Sequence, residues 1–111
     1  MTDVDRYRYA AEKLYLAVSY AATAAGDART RLEGTFSQLQ VLRQEHVPSE
    51  AWGRLAGVLE RLTSGEGTVA TNAHRMKNVT AAKLLRDIWD AYEIVKRAHD
   101  ENAAAAFSSN R

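Results

Sequence analysis

A chain of 111 residues with fifteen basic and fourteen acidic side chains carries a formal charge of +1. That is the size of one domain, with no basic excess to hold it to nucleic acid by charge alone. It has no cysteine, which excludes a disulfide framework, thiolate chemistry and cysteine-built zinc sites.

The first residues, MTDVDRYRY, are charged and lack the apolar core of a signal peptide. No run approaches the roughly 20 apolar residues of a membrane span. The expectation is a single cytoplasmic domain, residues 1–111, without a membrane partner.

From Asp3 to about Ala25 the spacing predicts a first helix, with Asp3 as N-cap and Gly26 as the stop. Val4, Tyr7, Ala11, Leu14, Val18, Ala21 and Ala25 form one apolar stripe at alternating spacings of three and four. Tyr9, Leu16 and Tyr20 fall near the opposite face, and a helix apolar on two sides tends to be buried on two sides. These three residues are therefore the expected interface with another helix or another copy of the chain.

Asp27 follows Gly26 directly, so the second helix, to about Glu45, should fold back as an antiparallel hairpin. Its inward face reads Ala28, Leu32, Phe36 (or Thr35), Leu39 and Leu42. Gly34 interrupts it at a cost of roughly 1 kcal/mol relative to alanine, and marks a candidate close crossing.

HVPSE ends that helix and starts a third, from about Pro48 to Thr63, since proline is tolerated in a first helical turn. Trp52, Leu55, Leu59 and Leu62 form its stripe, widened by Val58. Gly53 and Gly57 leave a smooth strip one turn apart.

Ser64-Gly65-Glu66-Gly67 is the clear break. From Val69 to about Asn102 the pattern is helical again, through Ala81, Leu85, Ile88, Tyr92 and Val95. The register falters at Lys77–Thr80, which is either a kink in one long helix or, the favoured reading, a break with Asn78 as the end of a short helix and Thr80 as the N-cap of a long one. Residues Ala103 to Arg111 extend that helix through alanines and should then fray. With no strand pattern and no internal repeat, the fold class is all-α. The expected architecture is a small up-and-down antiparallel bundle of four to five helices.

Chemistry-bearing patterns are sparse. His46, His74 and His99 stand alone, without the H-x-x-x-H spacing of a helical zinc site or the Glu-x-x-His pairs of di-iron bundles. Asp87, Asp90 and Glu93 lie close to Lys83, Arg86, Lys96 and Arg97, which makes an ion-pair face the better reading than a magnesium site. Gly65 and Gly67 lack the rest of a phosphate loop. In size and helix count the chain resembles the HEPN ribonucleases, whose signature is an arginine five to seven places before a histidine. No arginine stands there before His46, His74 or His99, so nothing is carried over. No catalytic, metal or cofactor residue is assigned.

The remaining candidate is the stretch from Ser64 to Arg86, which carries His74, Arg75, Lys77, Asn78, Lys83 and Arg86 with no acid between Glu66 and Asp87. On one helix, Arg75, Lys83 and Arg86 would share a broad face able to contact phosphate oxygens. Two functional expectations follow. The first is a non-enzymatic assembly protein, a homo-oligomer or a small accessory subunit, using Tyr9, Leu16 and Tyr20. The alternative is a nucleic-acid or phosphate-ligand module using the basic segment.

Overall fold

The computed structural model describes residues 2–109, which form five α-helices and one 3-10 turn. These are α1 (Asp3–Thr23), α2 (Ala28–Leu39), the turn Gln44–His46, α3 (Ser49–Thr63), α4 (Val69–Arg75) and α5 (Asn78–Ser109). The chain is an up-and-down all-α bundle with extents of 54 × 27 × 18 Å. No described helix is long and apolar enough to cross a membrane.

The helix starts follow local hydrogen-bonding chemistry. Thr2, not Asp3, caps α1, its hydroxyl accepting from the Asp5 N–H at 3.2 Å. Asp27 caps α2 by accepting from the Thr30 N–H at 3.1 Å. Thr68 caps α4 by accepting from the Thr71 N–H at 3.1 Å. Each side chain satisfies one of the donors that a helix start leaves without an intrahelical partner.

Several expected boundaries move. The first helix ends at Thr23, before Ala25, because Ala24 is already extended and Gly26 turns the chain at a φ of 105°. The second ends at Leu39 rather than Glu45. Beyond it, the Arg43 N–H donates to His46 Nδ1 at 2.9 Å and closes the 3-10 turn. The Lys77–Thr80 irregularity is a true break, but Asn78 opens α5 instead of ending α4, and Thr80 is not its cap. The reason is that Met76 turns extended and its side chain is buried. The break therefore falls at Met76 and Lys77, at the start of the faltering stretch. Of the expected fraying, the stretch to Ser109 is helical, while Asn110 and Arg111 lie outside the described residues.

The core runs along the bundle through Leu14, Leu32, Leu39, Leu55, Val58, Leu62, Ile88 and Val95. On α1 the buried line is Ala10, Leu14 and Ala17, with Tyr7, Ala11 and Val18 packed beside it. On α2 it is Thr35 rather than Phe36 that is fully buried. Its hydroxyl donates to the Leu32 carbonyl at 2.7 Å, so the buried group is satisfied within its own helix.

The α1–α2 crossing depends on Gly34. An added Cβ there would stand 2.0 Å from the Tyr20 ring, so the ring lies directly on the α2 backbone. Gly53 and Gly57 have open space where a Cβ would go. Gly53→Ala and Gly57→Ala are therefore each expected to stabilise the chain by up to about 1 kcal/mol. Gly34→Ala should forfeit that gain by lifting the Tyr20 ring, and recover it in a Tyr20→Ala background. A urea-denaturation double-mutant cycle reads this directly. Additivity between positions 20 and 34 would contradict it.

Candidate functional site

Of Tyr9, Leu16 and Tyr20, the last two are exposed one helical turn apart on α1, and Tyr9 is half-buried. The Tyr9 ring packs against His46 at 5.1 Å between centroids, with Lys13 Nζ 5.8 Å from the Tyr9 ring centre. Tyr20 covers Gly34 while remaining 42% exposed. Leu16 alone of the three, 46% exposed, has no such internal role.

A second apolar cluster lies on the α1–α5 seam. Tyr15 is 56% exposed and Trp89 48% exposed, with Tyr92 between them. The ring centroids are 6.3 Å apart for Tyr15–Tyr92 and 5.8 Å for Trp89–Tyr92, at tilted angles. Such offset aromatic contacts are favourable, yet they leave the outer faces of Tyr15 and Trp89 in water. Sequence reasoning missed both residues. Tyr15 follows the core residue Leu14, and Trp89 follows the core residue Ile88. The available signal was that a large aromatic stood one position off each stripe.

The basic segment is split by the α4–α5 break, so Arg75 lies on a different helix from Lys83 and Arg86. His74 Nε2 is 3.1 Å from Glu33 on α2, and its carbonyl accepts a long hydrogen bond from Arg29 at 3.5 Å. Arg75 lines a shallow depression with Arg61, Ser64, Gly65, Asn72 and Met76. Lys77 and Asn78 are exposed at the break. Lys83 pairs with Asp87 at 3.8 Å and lines a shallow surface with Val79, Ala82 and Arg86.

Between α3 and α5 runs an open groove of about 650 Å³ floored by Gly53 and Gly57. Arg54, Arg61 and Lys83 meet Glu50, Glu60 and Asp87 around it, so its charges balance. Arg54 reaches Asp90 at 3.5 Å and Asp87 at 3.9 Å, tying the two helices across the groove. The carboxylates of Asp87 and Asp90 are thus spent on ion pairs, and Arg54 is a partner that α5's own sequence does not contain. Among the described residues no group of three or more His, Asp or Glu is placed to hold a metal ion. His99 Nδ1 is 3.2 Å from the accepting Asp100 carboxylate, and its buried Nε2 has no partner among the described residues.

Comparison with known proteins finds no matching family, no matching curated protein and no matching solved structure.

The α2–α4 side shows one clear electrostatic effect. The Thr30 N–H, then the Arg29 guanidinium, hold the Asp27 carboxyl well below its ordinary value of 3.8. A carboxyl lowered on folding contributes stability that is fully present above its unfolded pKa of about 3.9 and is lost as pH falls through the folded value. Asp27→Asn should therefore flatten the loss of stability below about pH 4 relative to wild type. Thermal melts across that range test it, and parallel pH profiles would contradict it.

Proposed function

We propose that this chain works by association, as a non-enzymatic helical assembly protein that forms a homo-oligomer or joins a larger complex as a small subunit. One observation carries the reading. Tyr15, Leu16 and Trp89 stand about half exposed across neighbouring parts of α1 and α5, and Tyr92 links two of them. Aromatic side chains bury a large area and keep a polar tip for the rim, which is why they are favoured at interfaces. Scattered exposed apolar residues are ordinary, whereas Tyr15, Tyr92 and Trp89 are connected through their rings, which favours this reading.

Catalysis has less support. The hydroxyls that meet carboxylates, Thr2 on Asp5 and Thr30 on Asp27, do so at helix starts, and the α3–α5 groove is open and charge-balanced. The basic segment also has less support as a nucleic-acid surface. Two of its members already face acids, and Arg75 is separated from Lys83 and Arg86 by the helix break.

Light scattering should give a mass above the 12.3 kDa of one chain, or the chain should be recovered in a defined complex. Leu16→Ala and Trp89→Ala should each reduce that association. A monomer at high concentration, with no partner retained and no effect of either substitution, would overturn the reading.

A further inference from the structure

The α5 surface around Trp89 has a twofold charge pattern. Arg86 lies three residues before Trp89 and Glu93 four after it, so the two charges sit one heptad apart on one flank of the tryptophan. All three residues are exposed. Three neighbouring acids are engaged, while Arg97, exposed and four residues after Glu93, forms no ion pair among the described residues. Lys83 pairs with Asp87, Arg54 with Asp90, and Lys96 with Asp100 at 3.0 Å. Arg86 and Glu93 have no opposite charge within ion-pair distance among the described residues. The other flank of Trp89 carries Tyr92 and, from α1, Tyr15.

We propose that this face binds a second copy of the same chain, with the two α5 helices antiparallel and crossing at Trp89–Asp90. The inference rests on the association reading above and commits it to one partner and one register. In an antiparallel twofold pair, residue i of one helix faces the partner position equally far beyond the centre, and like flanks meet. Arg86 of each copy then stands opposite Glu93 of the other, twice. On the opposite flank the Tyr15–Tyr92 pairs of the two copies come together, with Trp89 between the two sets. The seven residue steps from Arg86 to Glu93 span about 10 Å of helix, so each charge is about 5 Å from the crossing point and level with its counterpart.

The area argument points the same way. The exposed halves of Tyr15 and Trp89 each leave on the order of 100 Å² in water. A stable interface needs roughly 800 Å² per partner. The aromatic residues can therefore supply a centre but not the whole interface, and the polar flank must join it. A flank bearing two unneutralised charges of one sign would repel its own copy. One bearing Arg86 and Glu93 symmetrically about the centre matches it.

The test is charge reversal followed by mixing, read by sedimentation equilibrium. Circular dichroism confirms that each variant is folded. Arg86→Glu makes positions 86 and 93 both acidic, and Glu93→Arg makes them both basic. Each alone should self-associate at least about tenfold more weakly than wild type, because like charges are brought face to face. An equimolar mixture of the two should recover association, and so should the chain carrying both substitutions. Single variants that dimerise like wild type, or a mixture that stays monomeric, would overturn this pairing while leaving association by another surface or partner standing. A wild-type chain that remains monomeric at every concentration would overturn the pairing outright. It would overturn the association reading as well only if no partner complex is found.

Discussion

A single apolar stripe on α5 has to serve most of the bundle. Ala81, Leu84, Ile88, Ala91 and Val95 are all buried, and α5 packs against α1, α2 and α3 along this line. A helix turns about 100° per residue, so Trp89, next to Ile88, cannot join the stripe without expelling it. The tryptophan is left on the seam beside α1, its ring supported by Tyr92. Tyr15 is in the corresponding position on α1, one step beyond Leu14. The aromatic surface is thus a consequence of how the core is filled.

The other helices set the limits within which that surface forms. Gly26 and the Asp27 cap bring α2 back along α1 after a four-residue turn, and Gly34 lets the Tyr20 ring lie on the α2 backbone. Tyr20 thereby covers Gly34 while staying exposed, and the His46 ring engages Tyr9. On the far side of α5, Arg54 holds Asp87 and Asp90 toward α3. Between these two engaged sides lies the band containing Leu16, Tyr15, Trp89, Arg86 and Glu93.

Much of the fold was legible in the sequence because the signals were local. The glycine breaks and the α3 stripe of Leu55, Val58 and Leu62 specify elements that the structure contains, whereas the expected caps Asp3 and Thr80 are not the caps used. The ion-pair character of Asp87 and Asp90 was legible too, though not Arg54 as their partner, since periodicity on one helix says nothing about which neighbour faces it. The same limit explains the candidate interface. A stripe opposite the main one suggested Tyr9, Leu16 and Tyr20, but the structure gives Tyr9 and Tyr20 partners on other elements. Tyr15 and Trp89 belonged to no stripe, and their meeting through Tyr92 exists only once α1 and α5 are packed. The basic segment is divided for a related reason: one extended residue, Met76, separates Arg75 from the helix that carries Lys83 and Arg86.

The central claim is that Trp89 lies at the middle of a contact between chains, and its own fluorescence tests this most directly. The chain has two tryptophans, so Trp52→Phe leaves Trp89 as the sole indole reporter. With a half-exposed ring in the free chain, emission should move to longer wavelength on dilution as the partner copy leaves. An emission maximum that stays at the long-wavelength position from the highest to the lowest concentration would contradict the account.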